Sequence, residues 1–283
     1  MRKRITILII SILGLIGPMM SQYRSNPGEV DIFMGLDFHY RDIFHKRVFD
    51  VLLNLTPGVK WNMGRQWELS GQVFIPIVNQ YGDLYKNVRI NMLNISKVLT
   101  MNNRRGALKI TGGIFSQERY GIDIKGMFML RDWVALAAQA GFTGYVSMQR
   151  GWDASVMGRV LALAGADFYL RKWDCEIRVR AGRYLYKDNG CGLEGMRHFK
   201  HTTVSLFGEY SSIGKFNGGF KVVVMLPPYH MKRRKVNFRP ASNFRLTYHK
   251  EADPYSNIVY FTDPEENEYD GWFGKNYLEY EKK

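Results

Sequence analysis

The residues in this chain with the clearest chemical potential are charged side chains spaced two apart. In W-D-C-E-I-R-V-R-A-G (173–182), Arg178 and Arg180 alternate with Ile177 and Val179. The same spacing sets Arg89, Lys109, Lys125, Arg159 and Lys221, together with Asp123, Asp167, Glu176 and Glu209, against apolar or small neighbours. Acids and bases gathered on one face support two kinds of behaviour. They pair into a ladder that stiffens a wall, or they line a somewhat cationic passage that selects anionic solutes. Both readings stand at this point.

Catalytic groupings are harder to find. The histidines are His39, His45, His198, His201, His230 and His249. His198 and His201 flank an expected turn with no Ser or acidic residue at a spacing the hairpin would bring to them, so both read as surface-turn residues. No G-x-S-x-G elbow, H-E-x-x-H pair or P-loop occurs. The acidic run Asp263-Pro264-Glu265-Glu266-Asn267 lacks the alternation and central Gly of a calcium loop and reads as a solvated tail. The expectation is a non-enzymatic chain with no catalytic residue, metal or cofactor.

Period-two alternation requires a strand, whose successive side chains point to opposite faces. It recurs over 30–40, 47–61, 66–78, 87–98, 105–117, 120–131, 133–148, 155–171, 173–186, 191–199, 202–212 and 216–227. Turn chemistry separates the segments, as in Asn62-Met63-Gly64, Asn102-Asn103 and 187–190. On the apolar side lie Ile122, Ile124 and Phe128; Leu136, Ala138, Ala140 and Phe142; and Phe220, Val222 and Val224. Trp61, Trp67, Trp133, Tyr145, Trp173, Tyr184 and Tyr210 mark strand edges, which suits aromatic girdles at two interfaces. The pattern predicts an all-β fold: an antiparallel transmembrane barrel of about 12 strands, apolar toward lipid and polar inside. Replacing Arg178 and Arg180 by Glu is then expected to leave folding intact, whereas Arg at Ile177 and Val179 should block assembly.

The N-terminus fits that destination. Arg2-Lys3-Arg4, an apolar run over 5–16 and Gly17-Pro18 ending near Ser21 make a cleavable signal peptide over 1–21. The chain carries 40 Lys and Arg against 26 Asp and Glu; without the three bases of residues 2–4, 37 remain against 26. Export argues against nucleic acid as the partner of this excess. Cys175 and Cys191 are the two cysteines. With a turn at 187–190 they fall opposite Thr202 and Tyr186, roughly 35 Å apart along the ladder, too far for a disulfide.

The barrel domain is expected over 22–227, and residues 228–283 form a C-terminal extension. Pro227-Pro228, the basic cluster 231–235 and the acidic stretch 263–270 mark the change. The patches 244–249 and 258–261 either add a hairpin, giving 14 strands, or belong to a tail in the lumen or the periplasm.

Residues 182–194, G-R-Y-L-Y-K-D-N-G-C-G-L-E, with Arg197 and Phe199, resemble the A-G-R-Y-L-x-x-D-x-G-x-x-L-E-x-x-R-x-F signature of the YjbH exopolysaccharide-biosynthesis family of outer-membrane proteins. G-G-I-F-S-Q-E-R-Y-G (112–121), Trp133–Leu136 and Q-R-G-W-D (149–153) are similar to two further stretches, and Gly218-Gly219-Phe220 and Arg239-Pro240 sit where that family closes its last strands. The similarity covers about 85–245 and resembles the family's C-terminal barrel; its members are longer. It implies a component of exopolysaccharide or capsule production or export in the outer membrane of a Gram-negative bacterium. The implied partners are membrane lipid, an acidic polysaccharide and periplasmic export proteins. The alternative reading is a general diffusion porin for small, preferentially anionic solutes.

Overall fold

A computed structural model describes residues 27–43, 47–80, 86–100, 106–147, 153–199, 202–226, 234–249 and 257–265. The expected signal peptide, His45, His201, His230 and the acidic residues after Glu265 lie outside them. The strands are β1 (Val30–Ile43), β2 (Arg47–Gly64), β3 (Trp67–Asn79), β4 (Arg89–Thr100), β5 (Gly106–Phe115), β6 (Arg119–Arg131), β7 (Val134–Ser147), β8 (Asp153–Ala154), β9 (Arg159–Leu170), β10 (Cys175–Arg183), β11 (Asn189–His198), β12 (Thr202–Ser211), β13 (Lys215–Met225), β14 (Val236–Pro240) and β15 (Asn243–His249). No helix among the described residues is long and apolar enough to cross a membrane.

Antiparallel neighbours run in chain order from β1 to β13, with the two-residue β8 paired beside β7. The ring closes through β14 and β15, making a barrel of 13 strands, in keeping with the dozen or so expected, and mixed at its closing seam. An odd number of alternating strands forces the first and last to run the same way, so the closing seam is parallel. Val30–Met34 pair with Val236–Pro240, and Asp37–Arg41 with Arg245–His249. Two extra residues, Ala241 and Ser242, interrupt the closing strand between those registers, and the Ala241 amide donates to the Met34 carbonyl. The additional hairpin considered from the sequence is therefore only half made. Residues 244–249 join the wall, whereas 258–261 form no strand.

The wall separates two kinds of surface. Ile122, Phe128, Leu136, Phe142, Val160, Ile177, Val179, Leu193, Leu206 and Phe220 are exposed on its outside. Asn94, Thr111, Asp123, Thr143, Asp167, Glu176, Glu194 and Ser205 are buried on its inside. Trp61, Trp67, Trp133, Trp173 and Tyr210 are exposed outward near the strand ends. Tyr145 and Tyr184 are not part of this outer set. Tyr145 donates to Glu118, and Tyr184 is buried with Phe115, Leu161, Leu163, Leu185 and Tyr260 in an apolar cluster inside the barrel.

Curvature is built in at the β5–β6 hairpin, where Gly113 and Gly121 face each other across the ladder. Their φ values are +141° and +152°, and a Cβ would come within 2.4 Å of the Leu93 carbonyl oxygen or 2.2 Å of that of Phe142. Glycine provides both the backbone conformation and the close approach.

The β10–β11 hairpin is shifted from its sequence-based register. Its turn lies at 184–188, where Lys187 has φ 64° and the Tyr184 amide donates to the Asp188 carbonyl. Cys175 therefore faces Arg197 and Cys191 faces Ala181, six steps or roughly 20 Å apart. Both are free thiols.

Candidate functional site in the barrel interior

Residues 257–265 run through the barrel interior. The segment enters at the rim formed by the β5–β6 and β10–β11 turns. There the Asn257 amide donates to Asp188 at 2.9 Å, and the Leu185 amide donates to the Ile258 carbonyl. Phe261 is tied to Ser116 in both directions: its amide donates to Oγ at 2.7 Å, and the Ser116 amide donates to its carbonyl. Tyr260 is fully buried, stacks on Phe115 at 5.2 Å between centroids and donates to Asp123 at 2.7 Å. Opposite it stands Gly141, where a Cβ would lie 1.6 Å from the Tyr260 hydroxyl oxygen. A wall position without a side chain is what admits the ring. Deeper in, Asn94 donates to the Thr262 carbonyl at 2.8 Å.

The far end of the segment is held by charge. Asp263 lies 2.5 Å from Lys60 and 3.2 Å from Lys109. Glu265 accepts two bonds of 2.6 Å from Arg239 and one from the Ser242 amide, with Lys60 at 3.5 Å. Burial alone would raise both carboxyl pKa values. Lys60 and Lys109 outweigh it at Asp263, and Lys60 and Arg239 at Glu265, so both stay below the usual carboxylate range. These residues are not the solvated acidic tail that the sequence suggested. Asp188, at the entry rim, is also lowered: burial opposes, but Ser211, the Asn257 amide and Ser212 donate to it.

A second inward group lies on the wall from β9 to β13. Arg180 grips Asp167 with two bonds of 2.6 and 2.9 Å, and Arg178 stands 3.4 Å from the same carboxylate. Arg178 donates to Glu176 at 3.2 Å. Glu176 also contacts His198 Nε2 at 3.2 Å, and His198 Nδ1 lies 3.1 Å from Thr203 Oγ1. Lys221 pairs with Glu194 at 3.2 Å, and Ser205 donates to the same carboxylate. The strand period places one such residue at every second step, and the register joins neighbours sideways. Charge reversal at Arg178 and Arg180 would therefore place two new carboxylates beside Asp167 and Glu176; the expectation that folding stays intact gives way to one of a destabilised wall, which urea unfolding of the double variant checks.

The sequence-derived set divides accordingly. Asp167, Glu176, Arg178, Arg180 and Lys221 meet in the wall ladder. Lys109, Asp123 and Glu209 meet the luminal segment, Glu209 through Asn257 Nδ2 at 3.4 Å. Lys125 is half-buried opposite Lys109 and Gln139. Arg159 stacks over Tyr186, and Arg89 over Phe74. His198 is no surface-turn residue: it is the last inward position of β11, where strands β10 and β12 bring an acid and a hydroxyl to it. Sequence reasoning missed Lys60, Asp188, Glu194 and Arg239. Lys60 and Glu194 alternate with Val59, Trp61 and Leu193 and were accessible by the same rule, but Asp188 and Arg239 act at a turn and an interrupted strand where period two gives no signal. Among the described residues no group of His, Cys, Asp and Glu is arranged to hold a metal ion.

No protein-family model matches the chain, and a search of curated proteins returns no match.

Proposed function

We propose that this chain is an outer-membrane β-barrel component of exopolysaccharide or capsule production or export, acting without catalysing a reaction. The outer surface supports the membrane half of this reading. A Lys or Arg facing lipid at the bilayer midplane costs about 2–4 kcal/mol. The mid-strand charges Asp123, Asp167, Arg178 and Lys221 are all buried on the inward face. The outside carries Ile, Leu, Val and Phe between Trp- and Tyr-bearing rims.

The observation that carries the functional half is the occupied interior. A general diffusion porin needs an unobstructed passage, whereas residues 257–265 bridge this one from Asp188 to Arg239. The resemblance to the YjbH family supplies the class of cargo. Its strongest stretch includes Tyr184, Leu185 and Asp188, the residues on which the segment docks. A barrel filled at rest suits a component that opens for, or scaffolds, an acidic polysaccharide and periplasmic export proteins.

The test is gene deletion followed by surface-polysaccharide staining and small-solute uptake. Loss of surface glycan with uptake unchanged is expected. Unchanged glycan with reduced uptake would overturn this reading in favour of a porin.

A further inference from the structure

The two rims of the barrel differ in charge. The rim where β1 begins also holds the β2–β3, β6–β7, β9–β10 and β11–β12 turns. Arg65, Arg131, Arg171, Lys172 and Arg197 are exposed there, and Lys97 is half-buried. Arg234 and Lys235 add two more exposed cations before β14. Among the described residues, Asp132 is the exposed carboxylate at this rim, and it lies 3.7 Å from Arg171. At the opposite rim the described exposed charges are fewer, Lys86, Arg183 and Lys187 against Asp153, and Glu118 there is half-buried.

The cations of the first rim are paired with rings in a repeated way. Lys97 Nζ stands 5.0 Å from the Trp67 ring centre, Lys172 Nζ 5.8 Å from that of Trp173, and the Arg197 guanidinium 5.5 Å from that of Phe199. The three rings are themselves outward and exposed, and the wall beyond them is apolar through Ile95, Leu170, Ile177 and Val204. A long cationic side chain whose stem covers a ring and whose head reaches past it belongs at a boundary between apolar and aqueous media. An anionic headgroup at that boundary gains the cation directly, and its acyl chains gain the apolar wall.

We infer that this rim is a collar for the headgroups of anionic phospholipids, whose phosphates are held by the Lys97–Trp67, Lys172–Trp173 and Arg197–Phe199 pairs. The inference rests on the membrane-spanning reading above. Charge complementarity beside an exposed ring, three times repeated at this rim, selects the occupant; the cation–ring pairs toward the other rim, Arg89–Phe74, Arg119–Tyr145 and Arg159–Tyr186, include no exposed ring. A free anion would use the cations but not the exposed wall beside them.

The full-length protein is tested in vesicles of phosphatidylcholine, with and without phosphatidylglycerol, by flotation and by native mass spectrometry of retained lipid. The variant Lys97→Gln, Lys172→Gln, Arg197→Gln is compared with Lys86→Gln, Arg183→Gln, Lys187→Gln, which removes equal charge from the other rim. Wild type and the second variant should retain phosphatidylglycerol preferentially, and the first variant should lose that preference by at least about tenfold at low salt. Flotation without headgroup preference, or equal effects of the two variants, overturns the collar while leaving the membrane reading intact. No flotation in either vesicle overturns both. Preferential capture of a soluble acidic polysaccharide by the same three residues, with phosphatidylglycerol ignored, also overturns the collar.

Discussion

Replacing Asp263 by Asn loosens the luminal segment with the least change of shape. Tyr260 and Phe261 keep their packing, and what goes is one negative charge between two ammonium groups. The side chains of Lys60, Lys109 and Asp263 are 19, 16 and 14 % exposed, so solvent screens them only in part. Removing one member of a buried pair costs about 3–5 kcal/mol, because the partner is left uncompensated. Lys60 retains Glu265 at 3.5 Å, so the low end applies, about 3 kcal/mol. That corresponds to roughly a 150-fold shift from the docked to the undocked segment. Hydrogen exchange reads it residue by residue, since local opening free energy sets amide protection. The Phe261 amide, held by Ser116, should exchange about 100-fold faster in the variant, with ladder amides of β10 and β11 unchanged. Planar bilayers should show channel openings that the wild type lacks. Unaltered exchange at Phe261, or equal acceleration throughout the wall, would refute the view that Asp263 fastens a separable segment.

Gly141→Ala should displace Tyr260, whose hydroxyl occupies the site of the new methyl, and should accelerate exchange over 257–262 while gel mobility of the folded barrel is retained. Because Asp263 and Glu265 have lowered pKa values when docked, the undocked segment binds more protons as pH falls. Docking is at full strength above about pH 5, and it weakens below about pH 4 as the solution drops toward the lower docked values. Exchange or conductance followed against pH checks the sign, and opening at alkaline pH instead would contradict it. Arg180→Met leaves the fully buried Asp167 short of its two best bonds and should cost about 3 kcal/mol in urea unfolding, whereas Ile177→Arg with Val179→Arg should block assembly.

Much of the wall was legible because period two is a local property. Every strand from β1 to β13 apart from the two-residue β8 was anticipated to within a few residues, and Ile177 and Val179 point outward where Arg178 and Arg180 point inward. The β10–β11 register was not legible. It depends on Asp188, whose carboxylate gathers Ser211, Ser212 and the Asn257 amide, and such long-range contacts leave no periodic trace. The same applies to the closing strand, where a two-residue interruption at Ala241 and Ser242 hides its length. Residues 258–261 look like a strand because they are apolar and β-prone, yet their partners are Ser116, Asp123 and Gly141 on three separate elements. Likewise, Asp263 and Glu265 look solvated until Lys60, Lys109 and Arg239, distant in sequence, are brought to them.

The claim beneath all of this is that the outer wall faces lipid and the inner face does not. Nitroxide labels placed singly along β7, from Leu136 to Phe142, in protein reconstituted into phospholipid vesicles, test it most directly through collision with oxygen and with a water-soluble nickel chelate. Oxygen accessibility should peak at 136, 138, 140 and 142 and dip at 137, 139 and 141, with the chelate excluded from the even positions. Chelate access at the even positions, or no alternation at all, would contradict a membrane-spanning barrel.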